Sequence, residues 1–94
     1  MKIRWSPTAV SDLESIREFI AKDNPSAARK IANRIKESVK RLINFLLSGR
    51  AGRVLGTREL VIPGTSYIAA YTIQDDEVLI AFVLHGRQNW LESF

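Results

Sequence analysis

Val78-Leu79-Ile80-Ala81-Phe82-Val83-Leu84 is apolar at every one of its positions. A strand with one wet face alternates apolar and polar residues, so this one asks for cover on both sides. It is far too short to span a bilayer. Outward from it, Glu77 to His85 reads as one strand that ends at Gly86. Tyr67 to Ile73 reads as the strand before it, closed by Gln74-Asp75-Asp76. Thr57 to Ile62 is a third, closed by the strong turn signal Pro63-Gly64-Thr65. Such short connections make the three a meander of antiparallel neighbours.

The first half of the chain has the helical period instead. Lys2-Ile3-Arg4-Trp5 alternates as a short strand. Ser6 then stands where an N-cap belongs, with Pro7 at the first helical position. Ala9, Leu13, Ile16 and Ile20 share one helical face, with Phe19 beside them. Asp23-Asn24-Pro25 stops that helix and starts another, because Asn24 can cap a helix that has Pro25 at its first position. In the second helix Ala28, Ile31, Ile35, Val39, Leu42 and Leu46 keep the three-to-four spacing for about five turns, and Ser48-Gly49 supplies a stop. With almost no linker the two helices form an antiparallel hairpin. Arg50 to Gly56 reads as a loop.

The expected fold is therefore α+β. In chain order it runs strand, helix, helix and three strands, with the hairpin packed on one face of an antiparallel sheet. Residues 1–94 are expected to form a single domain. Two helices cover one face of such a sheet and cannot also cover the other. Either the aromatic tail with Trp90 and Phe94 folds back over it, or a partner chain supplies the cover.

The formal net charge of +4 is unevenly spread. Residues 25–53 hold eight Lys or Arg against one Glu, whereas residues 54–94 are net acidic. A basic segment of this kind can meet phosphate or an acidic protein. On the second helix Lys30, Arg34 and Arg41 share one stripe, and Arg29, Lys36 and Lys40 the next. Arg50 and Arg53 place two more cations in the loop. That loop lacks the Gly-Lys-Ser/Thr ending of a phosphate-binding loop, so its glycines read as a connector. There is no cysteine and only one histidine, His85, so neither disulfides nor a zinc site is expected, and no cofactor. No signal peptide is visible, and a cytoplasmic protein without membrane contact is expected.

Three stretches of the second half carry a family resemblance: Gly49-Arg50-Ala51-Gly52-Arg53, Gly56-Thr57-Arg58-Glu59-Leu60-Val61-Ile62 and Val83-Leu84-His85-Gly86-Arg87-Gln88. Trp5-Ser6-Pro7, Asp12-Leu13, Asn24-Pro25 and Ala27-Ala28 carry it in the first half. In order and spacing they resemble the ParE branch of the RelE/ParE toxins over nearly the whole chain. Leu47-Ser48 and Leu91 depart from it, where proline is common in the family. The resemblance implies the toxin of a type II toxin–antitoxin pair, silenced by a cognate antitoxin. ParE-like members poison DNA gyrase, with DNA met indirectly through gyrase or the antitoxin; RelE-like members cut messenger RNA on the ribosome.

Cutting RNA needs a base, an acid and cations for developing negative charge. RNA-cutting relatives usually carry an arginine on the middle strand of the meander. Here that strand reads Tyr67-Ile68-Ala69-Ala70-Tyr71, with no cation. Arg58, His85 and Arg87 remain as a conceivable ribonuclease set. Glu59, adjacent to Arg58 on a strand, points to the other face and cannot join it. Gyrase is thus the expected target, without covalent chemistry. A ribosome-dependent endonuclease and a non-toxic antitoxin-binding module are the alternatives. For target or antitoxin binding the candidates are Lys30, Arg34, Arg41, Arg50, Arg53, Trp90 and Phe94.

Overall fold

Both proline-led helices start where their caps stand. In the computed structural model, which describes residues 1–86, Ser6 Oγ accepts the amide of Ala9 at 3.0 Å and opens α1 (Pro7–Ala21). Asn24 Oδ1 accepts the amide of Ala27 at 3.1 Å and opens α2 (Pro25–Lys40). Each side chain satisfies an amide that has no partner within its helix. The hairpin closes on small residues: Ala9 of α1 and Ala28 and Ala32 of α2 are all buried, which lets the two helices approach closely.

The strands are β1 (Lys2–Trp5), β2 (Arg50–Ala51), β3 (Arg58–Val61), β4 (Tyr67–Gln74) and β5 (Glu77–His85). They form one sheet in the order β1-β5-β4-β3-β2, with α1 and α2 on one face. The expected α+β layering holds, with two differences. The sheet is mixed, because β1 runs parallel to β5 while every other pair is antiparallel. It also has a fifth strand, since Arg50 and Ala51 pair with Glu59 and Arg58 within the stretch expected to be loop. Placing β1 outside β5 makes β5 a central strand, hydrogen-bonded to a neighbour on each side.

β5 contains a bulge. Ala70 pairs with Phe82 but Tyr71 with Ile80, so Ala81 is the extra residue. The start of α1 secures it: Ser6 Oγ donates to the Ala81 carbonyl at 2.7 Å, and the Asp12 carboxylate accepts the Val83 amide at 3.0 Å. The bulge resets the alternation, so Val78 and Ile80 before it and Val83 after it all enter the core beneath the helices. Ile35, Val39, Leu42, Ala69 and Tyr71 complete that core.

The second sheet face is only partly open. Ile68, Ala70 and Leu84 on it are buried, Leu79 and Phe82 are half-buried, and Val61 is exposed. The expectation of an incompletely covered face therefore holds at Leu79 and Val61 and not at the three buried residues. Trp90 and Phe94, the proposed lid, lie outside the described residues.

α2 ends earlier than its period suggests. A 3-10 turn over Arg41–Ile43 follows it, and the chain leaves the helix at Asn44. Leu42 is still buried and Leu46 still packs on the core. Beyond that point the chain is held by Tyr71, whose buried hydroxyl donates to the Leu46 carbonyl at 2.8 Å and accepts the Gly49 amide at 2.9 Å. A Cβ on Gly49 would lie 2.6 Å from the Tyr71 ring. Gly49 is thus required for close approach to Tyr71 and is not the helix stop.

Candidate functional site

The α2 stripe and the sheet edge form one trough. Lys30 and Arg34 on α2, with Asn33, Glu37 and Ser38, and Arg41 in the 3-10 turn that follows it face Pro63 across an open depression of about 480 Å³. Arg34 bridges it by donating to the Pro63 carbonyl at 3.3 Å. Ser38, Arg41 and Pro63 also wall a smaller groove of about 190 Å³ with Phe45, Ser48, Leu60 and Val61. The trough is basic at the α2 end and apolar at the other, where Phe45 and Val61 are 62% and 48% exposed. Because β2 pairs only with Arg58 and Glu59, the outer edge of β3 at Leu60 and Val61 has no strand beside it among the described residues. Open backbone groups, apolar side chains and cations therefore share one surface.

Arg50 and Arg53 sit elsewhere. Glu59 is only 3% exposed, on the sheet face away from the helices. Arg50 Nη2 lies 3.3 Å from one of its carboxylate oxygens. The other oxygen accepts the Arg53 amide at 2.9 Å, with Arg53 Nε 3.8 Å away. Arg53 Nη2 also donates to the Gly86 carbonyl at 3.4 Å. A buried carboxylate needs this company, since an unpaired charge there would be strongly destabilising. The two loop arginines offered by the sequence as target contacts thus hold the loop to the sheet.

Of the conceivable ribonuclease set, Arg58 and His85 do not meet. Arg58, on the helix side, donates to the Gly49 carbonyl at 2.9 Å. His85 meets Tyr67 edge-on, with ring centroids 5.5 Å apart. Arg58 pairs with Tyr71 and His85 with Tyr67, which separates them by four residues along β4, or about 13 Å. Arg87 lies outside the described residues, as do Trp90 and Phe94. Among the described residues no three His, Asp or Glu side chains group as metal ligands would, and no helix is long and apolar enough to cross a membrane.

Sequence reasoning found the cations of the trough and missed its apolar half. Phe45 was hidden in what looked like the last turn of a helix, and Val61 in a strand with no assigned edge. The signal was present in Phe45-Leu46-Leu47, three apolar neighbours where a helix buries only one face.

Residues 3–90 match the family described as "ParE toxin of type II toxin-antitoxin system, parDE". The protein called "Putative toxin Y4kP" from Sinorhizobium fredii is 42% identical over 89 residues, covering 95% of this chain and 92% of that one. "Toxin RelE2" of Caulobacter vibrioides is 29% identical over 87 residues, covering 93% and 97%. Among solved structures, a chain of the "Chromosomal ParDE TA system from P. aeruginosa" matches with a TM-score of 0.81 at 26% identity, covering 90% of this chain and 95% of that one. Matched from end to end by family and by fold, the chain belongs to the ParE toxins of type II toxin–antitoxin systems.

Proposed function

We propose that this toxin inhibits growth by binding and poisoning DNA gyrase in the cytoplasm, and that its antitoxin silences it from the trough between α2 and the edge of β3. The observation that carries the gyrase reading is the dispersal of candidate catalytic groups. β4 has no cation at its centre, Arg58 is bonded to the Gly49 carbonyl, and His85 is packed against Tyr67 about 13 Å along the strand. Attack by an RNA 2′-hydroxyl would need a base and cations converging within hydrogen-bond reach of one phosphate. A poison that acts by binding needs no such convergence.

Likeness to "Toxin RelE2" favours a second reading, a ribosome-dependent RNA endonuclease. Purified protein separates the two. It is expected to accumulate gyrase-cleaved DNA in a supercoiling reaction and to leave ribosome-bound messenger RNA intact. Codon-specific RNA fragments with gyrase unaffected would overturn the proposal. The third reading, a non-toxic antitoxin-binding module, is excluded if induction of the chain alone arrests growth.

For the antitoxin, the trough combines features that suit an acidic, amphipathic segment which folds as it binds. Its apolar face would cover Phe45 and Val61, and its carboxylates would meet Lys30, Arg34 and Arg41.

A further inference from the structure

Leu55 is completely exposed, the extreme among the large apolar side chains of the described residues. An exposed leucine alone is ordinary on a protein surface. What sets this one apart is how firmly its backbone is held. The Thr57 amide donates to the Val54 carbonyl at 3.1 Å and Gly56 has φ +86°, the pattern of a type II turn with Leu55 at its second position. Thr57 Oγ1 donates to the same carbonyl at 2.7 Å, and the Gly52 amide to the Thr57 carbonyl at 2.9 Å. At its base the loop is tied by Glu59 to Arg50 and to Arg53, by Arg58 to the Gly49 carbonyl, and by Tyr71 to the Gly49 amide.

We infer that residues 49–57 form a rigid finger that inserts Leu55 into an apolar pocket of the toxin's protein target, with Glu59 as the residue that positions it. A turn whose backbone is already fixed loses little further freedom on docking, and burial in a pocket is the way such a leucine contributes affinity. The occupant is a protein pocket and not nucleic acid. Phosphate contact would call on Arg50 and Arg53, but both reach back to the Glu59 carboxylate at the base of the loop, and the tip Val54-Leu55-Gly56 carries no charge. The finger does not belong to the trough, since none of residues 49–57 lines it. This inference rests on the chain being an active toxin, and it does not depend on gyrase being the target.

The test is Leu55→Asp in the full chain, read by growth arrest on induction, by affinity for the cognate antitoxin, by gyrase cleavage and by thermal melting. Growth arrest is expected to need on the order of 30-fold more toxin, with antitoxin affinity and melting temperature unchanged; Leu55→Met should retain most toxicity. A fully toxic Leu55→Asp overturns the inference, and does so while leaving the gyrase proposal intact if gyrase is still poisoned. A fully toxic Leu55→Asp beside a non-toxic Arg50→Gln would make the loop a phosphate contact. Toxicity and antitoxin affinity falling together would make Leu55 part of the antitoxin's site, again overturning it. If the wild type arrests growth without touching gyrase and Leu55→Asp does not, the gyrase reading alone fails.

Discussion

Removing one oxygen atom, by Tyr71→Phe, should destabilise this toxin as much as removing part of its core. Tyr71 is fully buried, and its hydroxyl donates to the Leu46 carbonyl and accepts the Gly49 amide. A net hydrogen bond contributes about 1 kcal/mol, and a buried partner left without one costs about 1–3 kcal/mol. The Gly49 amide is the more severely affected, because it is buried and pressed against the ring. The space left by the oxygen is too small to admit a water in its place. The Leu46 carbonyl is part-buried and regains some solvent, so the loss sums to about 2–3 kcal/mol. At roughly 4–8 °C per kcal/mol for a domain of this size, the melting temperature should fall by roughly 8–24 °C. Circular dichroism melts of the free toxin measure this, with Tyr67→Phe on the same strand as control. A Tyr71→Phe protein that melts within 2 °C of wild type, a threshold of about 0.5 kcal/mol, would refute the reasoning.

Reversing Lys30, Arg34 and Arg41 to Glu should slow antitoxin capture on the order of 10–100-fold at low salt. The melting temperature should move by only a few degrees, because exposed charges contribute little to stability; unchanged antitoxin kinetics would reduce that face to a solvated one. The hairpin between β4 and β5 turns through Asp75 and Asp76, with φ of +49° and +61°. Such a two-residue turn favours glycine at its second position, so Asp76→Gly should raise stability by about 0.5–1 kcal/mol in a denaturation curve, and a loss would contradict the turn assignment.

What could be read from the sequence is what local chemistry decides. Ser6-Pro7 and Asn24-Pro25 each place a capping oxygen ahead of a proline, and both helices start there. The meander was legible because Pro63-Gly64 and Asp75-Asp76 mark its turns. What could not be read was decided at a distance. The four residues of β1 look the same beside any strand, and only the folded chain sets them parallel to β5. The end of α2 was misjudged because Leu42 and Leu46 keep the helical period, while the group that holds the chain beyond it, Tyr71, lies 25 residues further on. The bulge at Ala81 depends on Ser6 and Asp12 of the opposite half of the chain.

The basic segment 25–53 shows the same limit in its charge. As a sequence it is one block, and Lys30, Arg34, Arg41, Arg50 and Arg53 all stand in it as candidates for contact with a partner. Folding divides the block. Lys30 and Arg34 on α2 and Arg41 just past its end line the trough, while Arg50 and Arg53 cross to the far sheet face. Glu59 makes the division, and it was dismissed as a site residue because it points away from Arg58. That orientation is what places its carboxylate beneath the loop, where burial at 3% exposure makes its two arginine partners structural. Lys30, Arg34 and Arg41 then lie beside Phe45, Val61 and an open strand edge, the arrangement proposed above for one incoming chain. On the loop the order reverses: the charges hold the backbone, and the proposed contact with the target falls to the apolar side chain at its tip.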